Sequence, residues 1–329
     1  MLKKTLFRFM LVFLFGFTFG FIIFKLFGNS LGRSQMSQDR LGGYKYIKPL
    51  LECNIENENQ KELVNFKNKV EENIHTQIEE GNINEAAMYF RDLNNGPWIG
   101  LNEQTEFAPA SLLKVPLMMS YFKIAEKNPK ILKTVLTSKK LESNYPTGLL
   151  PESKITPGGL YSVEDLIHYM IVYSDNDAAG SLLENQFMNE NEFYRVYRDL
   201  NIYPHMDINN EDSMSVQTYA SFFRILYNAS YLSKDYSEMA LKLLTQTQFD
   251  QGIEKPIPKS IKVAHKYGLR ALQPNQIQLH DCGIIYYPNN PYLLCVMTRG
   301  SNFQRINEVI ADISELVYKE IDNQFKNSQ

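Results

Sequence analysis

Apolar residues recur at helical spacing from Glu58 to about Glu80, where Leu63, Phe66, Val70, Ile74 and Ile78 are separated by charges. The pattern returns at the far end of the chain, where Ile306, Val309, Ile310, Ile313, Leu316, Val317 and Ile321 trace one face of a second amphipathic helix. Two strand-like runs, Ala86–Leu93 and Trp98–Leu101, flank Asn94-Asn95-Gly96, and an Asn-Gly pair tolerates the positive φ of a tight hairpin turn. The middle of the chain is helical in pattern over Ser111–Glu126, Val163–Val172, Ala178–Glu184, Glu192–Leu200, Ser215–Asn228 and Ser237–Thr245. Three more strand-like runs follow: Ile261–Lys266, Ile277–Tyr287 and Tyr292–Thr298. The order predicts an α+β domain: a five-stranded antiparallel sheet from both ends of the domain, flanked by its terminal helices, with an all-helical subdomain inserted at about residues 111–250.

A different pattern opens the chain. Between Arg8 and Lys25 runs an uncharged, Phe-rich stretch, Phe9 to Phe24, which as a helix spans about 24 Å and approaches bilayer thickness if Lys25 snorkels. No small-x-small cleavage site follows it, so residues 1–28 are expected to form an uncleaved signal anchor, a single transmembrane helix. Lys3, Lys4 and Arg8 precede the span, which places the N-terminus in the cytoplasm and the rest outside the cell membrane. Gly16 and Gly20 form a Gly-x-x-x-Gly that allows weak dimerisation in the membrane. The polar, Gly-rich residues 29–44 read as a tether, leaving 45–329 as the folded domain.

Charge sharpens this division. Four of the 34 basic residues and none of the 37 acidic ones fall in residues 1–30, so the remainder holds 30 against 37, a net charge of −7. That argues against a nucleic-acid partner. His75, His168, His205, His265 and His280 lie far apart with no metal-ligand spacing, so no metal or cofactor is expected. Cys53, Cys282 and Cys295 form an odd set. Cys282 and Cys295 flank the hairpin turn Pro288–Pro291, where an exported domain could form one disulfide, but buried free thiols are expected.

Three motifs carry candidate chemistry. Ser111-Leu-Leu-Lys114 opens an apolar helical stretch, so Lys114 would sit one turn from the Ser111 hydroxyl. A neutral, buried lysine can take the proton of a serine nucleophile. Taken alone, Ser111 reads as a helix cap, and Ser120-Tyr-Phe-Lys123 in the same helix repeats the spacing by accident. Ser174-Asp175-Asn176 lies between two helical segments, and His265-Lys266-Tyr267-Gly268 ends a strand-like run.

In this order the three motifs resemble the Ser-x-x-Lys, Ser-Asp-Asn and Lys-Thr-Gly set of the penicillin-recognising serine hydrolases, most closely class A β-lactamases and their D,D-peptidase-like relatives. Phe-Ala-Pro-Ala-Ser-Leu-Leu-Lys-Val-Pro, Ser-Asp-Asn-Asp-Ala-Ala, Val-Ala-His-Lys-Tyr-Gly and His280-Asp-Cys-Gly-Ile-Ile extend the resemblance over about residues 58–325. It implies that Ser111 forms an acyl-enzyme, that Lys114 transfers its proton, and that Ser174 relays a proton to the leaving nitrogen. It further implies that Lys266 supplies positive charge, that Asn176 and Tyr267 contact substrate, and that Ser111 and Leu269 offer backbone N–H groups to an oxyanion. Gly268 would be needed because substrate lies along its strand. The substrate implied is a β-lactam or a peptidoglycan stem peptide.

The sequence departs from that pattern twice. Tyr267 stands where the family has Thr or Ser, altering or removing a carboxylate contact. Arg270 or Arg299 would have to compensate, although both read first as solvated strand-end charges. The Glu-x-x-Leu-Asn of class A β-lactamases is missing between Pro204 and Ser215, where Glu211 is the nearest candidate for a deacylating base, with Asp207 and Asp212 behind it. A non-catalytic or single-turnover penicillin-binding sensor is therefore the competing expectation.

Overall fold

The computed structural model describes residues 38–40, 42–53, 61–94, 96–140, 154–206, 212–273 and 276–327. The expected membrane anchor, Gly16 and Gly20, most of the tether, Asp207 and Glu211 lie outside these residues. Among the described residues no helix is long and apolar enough to cross a membrane.

Five strands form one antiparallel sheet: β1 (Glu85–Asp92), β2 (Trp98–Leu101), β3 (Val263–Gln273), β4 (Gln276–Ile285) and β5 (Tyr292–Gly300), in the order β3-β4-β5-β1-β2. The terminal helices α1 (Lys61–Glu79) and α7 (Phe303–Asn327) cover one face. There Phe66, Val70 and Ile74 of α1 and Ile306, Val309, Ile310 and Ile313 of α7 pack on Val263, Leu279, Leu294 and Val296. Ala264, Cys282, Ile284, Leu293, Cys295 and Met297 point the other way, into the helical block. That block contains α2 (Lys114–Ala125), α3 (Val163–Val172), α4 (Asn176–Leu183), α5 (Val216–Asn228) and α6 (Lys234–Leu244). Each large apolar side chain buried in either layer contributes roughly 1.5–3 kcal/mol. Burial on both faces explains why Tyr292–Met297 reads as an unbroken apolar run rather than an alternating one.

The expected sheet, its two parts and the terminal helices are therefore present, with three corrections. The third-motif strand does not end at Lys266: it continues to Gln273, because Tyr267 and Leu269 bury on the α1–α7 side and Ala271 still pairs with Ile277. Cys282 and Cys295 are bridged by a disulfide rather than held as free thiols, since the β4–β5 register sets them directly opposite each other. The run Glu192–Leu200 is two short helices, Glu190–Phe193 and Arg195–Leu200, broken at Tyr194.

Candidate active site

The turn carrying Ser111 is fixed before its chemistry is considered. Residues 110–113 form a 3₁₀ turn that leads into α2, and no side chain caps it, so Ser111 is not spent as a helix cap. Upstream, the Ala108 N–H donates to Gln278 Oε1 at 2.9 Å, and Arg299 donates to the Glu106 carbonyl. His280 Nε2 lies 3.0 Å from the Ala108 carbonyl, while its Nδ1 faces the Thr298 N–H at 3.3 Å. Burial pushes His280 down to about 4, so it is a neutral imidazole donating through Nε2. Downstream, the Tyr219 hydroxyl donates to the Leu112 carbonyl at 2.9 Å. These anchors hold Ala110 at φ +51°, a left-handed conformation costing on the order of 1–3 kcal/mol for a non-glycine residue.

This turn packs against the edge strand β3, and the contact explains Gly268. A Cβ there would meet the Pro109 carbonyl oxygen at 2.7 Å and Leu112 Cγ at 3.0 Å. The expectation that Gly268 clears a path for substrate is thus sharpened: its first role is to let the Ser111 turn lie directly on the strand.

The second motif is another constrained turn. Ser174 links α3 to α4 at φ +56° and is almost fully buried. Asp175 caps α4, accepting from the Ala178 N–H at 3.0 Å and from the Ile155 N–H at 3.1 Å. Lys114 Nζ donates to the Ser174 carbonyl, to Ser174 Oγ at 3.3 Å and to Asn176 Oδ1 at 2.6 Å. From the opposite side Lys266 Nζ reaches Ser174 Oγ at 2.8 Å and the Tyr267 carbonyl at 3.0 Å.

One hydroxyl therefore lies between two buried amines. Burial lowers Lys114 to about 7, against a smaller opposing pull from Asp175. Burial also lowers Lys266 well below its ordinary value, reinforced by the Lys114 charge and opposed by Asp281. Two ammonium groups sharing one hydroxyl in a dry site are unfavourable, so near neutral pH at least one amine gives up its proton. A neutral amine accepts from the Ser174 O–H while the other donates to its oxygen, and the trio becomes a path for a proton.

Of the neighbours of Lys266 on β3, His265 points to the other face, while the Tyr267 side chain stays beside Lys266 and the Ser174 hydroxyl. Tyr267 stacks on Phe249 with ring centroids 4.1 Å apart, and Lys266 Nζ sits 4.3 Å from the Tyr267 ring centre. Burial pushes the Tyr267 phenol up to about 12, with the Ser174 hydroxyl opposing that shift. His265 faces away from Lys266, as expected, and meets Asp281 Oδ1 at 2.9 Å through Nδ1. Its Nε2 lies 3.3 Å from Glu254 Oε2, an ion-pair contact without good hydrogen-bond alignment. Leu269 pairs with Leu279 and buries its side chain, leaving only backbone to face the site.

The two arginines are not simple solvated strand ends. Arg299 is ion-paired to Glu85 and lies over the Phe107 ring at 4.4 Å, while Arg270 exerts an electrostatic pull on Asp212. Gln278, Asp281 and Tyr219 are positioning residues that sequence reasoning did not single out. Only Asp281 lies in a segment the sequence marked, His280-Asp-Cys-Gly, which carried resemblance without assigning it a role; Gln278 and Tyr219 had no such signal.

A family model described as the beta-lactamase enzyme family matches residues 69–321. Among solved structures, a mutant of PBP-A in an acyl-enzyme complex with penicillin G aligns with 21% identity and a TM-score of 0.66, covering 79% of this chain and 97% of that one. A beta-lactamase from Chitinophaga pinensis aligns with 20% identity and a TM-score of 0.66, covering 78% and 98%. A class A beta-lactamase from Mycobacterium abscessus aligns with 18% identity and a TM-score of 0.65, covering 77% and 99%. At such identities the likeness is one of fold. A search of curated proteins finds no match.

Proposed function

The chain belongs to the beta-lactamase enzyme family, and from that premise we propose that it is a serine hydrolase that forms an acyl-enzyme at Ser111 and acts on β-lactam or D-alanyl peptide-like amides. The observation carrying this reading is the Ser174 hydroxyl held between Lys114 and Lys266, both buried and both lowered in basicity. In the forward step Ser111 Oγ attacks the amide carbonyl and its proton passes to the neutral amine of Lys114. The Ser111 and Leu269 N–H groups receive the developing oxyanion. Collapse breaks the C–N bond as Ser174 gives its proton to the leaving nitrogen and is resupplied by the lysine pair, leaving the acyl-ester on Ser111. Asn176 and the Gly268 backbone line up the substrate amide.

Release of the acyl group requires a water and a base. Glu211 is the candidate base, as the acid nearest the missing Glu-x-x-Leu-Asn position. The competing reading, a single-turnover penicillin-binding sensor, draws support from Tyr267: its ring lies against Phe249 where the family pattern has a small hydroxyl residue. We further propose that residues 1–28 anchor the protein in the cell membrane with the hydrolase domain outside, where it would meet β-lactams and peptidoglycan stem peptides. Protease added to intact cells lacking an outer barrier should then digest residues 45–329, and protection of that domain would contradict this topology.

The activity test uses a chromogenic cephalosporin and a fluorescent penicillin on the wild type and Ser111→Ala. Steady hydrolysis supports a β-lactamase, and a persistent label supports a peptidase or sensor. Turnover or labelling that survives in Ser111→Ala removes the proposal.

A further inference from the structure

The edge of the sheet opposite β3 carries a groove that the hydrolase chemistry does not use. It has a volume of about 580 Å³ and lies between β1, β2, the segment Asn201–Tyr203 and α5. Arg91 of β1 and Arg224 of α5 both line it. Among the described residues the Arg91 guanidinium reaches only the Tyr89 hydroxyl, at 3.4 Å, and Arg224 has no hydrogen-bond or ion-pair partner. No Asp or Glu among those residues lines the groove. Burial, then the nearby Arg91 charge, lower Arg224, and the group that opposes them is the Tyr89 phenol rather than a carboxylate. A guanidinium cannot escape this repulsion by losing its proton near neutral pH, so two positive forks stand together without a carboxylate partner among the described residues.

The rest of the wall is aromatic and polar. Tyr89 and Trp98 stack at 5.6 Å with planes 25° apart, and Trp98 and Tyr203 are left 44% and 48% exposed. Gln217, Thr218 and Ser221 of α5 add amide and hydroxyl groups. The Gln217 carbonyl is already engaged by Gln104, so its amide N–H groups remain to donate.

We propose that this groove binds an acidic saccharide, its carboxylate paired with Arg91 and Arg224 and its ring laid on the Tyr89–Trp98 wall. Paired guanidiniums match a planar oxyanion, the flat aromatic surface takes the apolar face of a sugar ring, and the α5 groups match its hydroxyls. The volume suits one or two sugar rings. A polyanion is disfavoured by the acidic balance of the domain, 37 acidic against 30 basic residues beyond residue 30. The site does not rest on the Ser111 chemistry.

Trp98 is the one tryptophan of the chain, so intrinsic fluorescence reports on this groove specifically. Full-length protein and its Ser111→Ala variant are titrated with N-acetylmuramic acid, with uncharged N-acetylglucosamine and with a nucleoside monophosphate. A saturable Trp98 signal is expected for the acidic sugar in both proteins, about tenfold or more tighter than for the neutral sugar or the nucleotide. Arg91→Gln and Arg224→Gln should each weaken it by about tenfold or more while melting temperature and cephalosporin turnover stay unchanged. No signal up to about 10 mM, equal affinity for the neutral sugar, tighter binding of the nucleotide, or unaltered affinity in both arginine variants would overturn the proposal.

Discussion

Lys266 and His265 are consecutive on β3 and both are fully buried, yet the two faces of the sheet treat positive charge in opposite ways. On the helical face Lys266 meets a hydroxyl, a carbonyl and a second lysine, and burial wins, holding it well below its ordinary value. On the α1–α7 face burial also pushes His265 down, but the carboxylates of Asp281 and Glu254 together outweigh it and lift it to about 9. One face holds an amine of lowered basicity, hydrogen-bonded to a hydroxyl through which a proton can move. The other keeps an imidazolium between two acids, a structural ion pair on the opposite side of the same strand. Burial alone does not mark a functional lysine or histidine; the partners on its own face decide.

The largest test of that contrast is Lys266→Met, which removes the amine but retains most of the volume. Acylation by penicillin should slow by about 10²–10⁴-fold in stopped-flow labelling while the protein stays folded. On the opposite face Asp281→Asn strips one partner from a buried charge, so denaturant unfolding should show a loss of about 3–5 kcal/mol, with the folded fraction still acylating.

A finer test uses pH. His265 is raised from 6.5 to about 9, so its stabilising contribution is complete below pH 6.5 and is lost as pH rises through 9. Lys114 is lowered from 10.5 to about 7, so the native state bears its full charging cost below pH 7 and is relieved of it as pH rises towards 10.5. The two contributions oppose each other between pH 7 and 9. Melting temperature against pH in that window should slope more upward than wild type in His265→Gln and more downward in Lys114→Met. The smallest effect is expected from Tyr267→Thr, which restores a small hydroxyl beside Lys266 and should raise kcat/KM for a carboxylate-bearing β-lactam by about five- to tenfold.

Much of this architecture can be read from periodicity. Phe66, Val70 and Ile74, or Ile306, Val309 and Ile313, announce a helix face whatever surrounds them, and Val163–Val172 forms the helix its pattern predicts. The three motifs likewise name Ser111, Lys114, Ser174 and Lys266; hydrogen bonds join the last three, while Ser111 sits on the turn that packs against Gly268 of β3. What periodicity does not carry is register between distant segments. The Cys282–Cys295 bridge, the His265–Asp281–Glu254 cluster and the contact of Gly268 with Pro109 each depend on which residue lies opposite which. Tyr267 misled in a related way: it marks a departure in the third motif, while its packing against Phe249 shows where the ring goes instead.

The central claim is that Ser111 is acylated. Intact-mass spectrometry of protein treated with benzylpenicillin, followed by peptide mapping, addresses it most directly. The account predicts a single adduct of the full penicillin mass, confined to the peptide containing Ser111 and absent from Ser111→Ala. An adduct mapped to another residue, or none at any time after mixing, would contradict it.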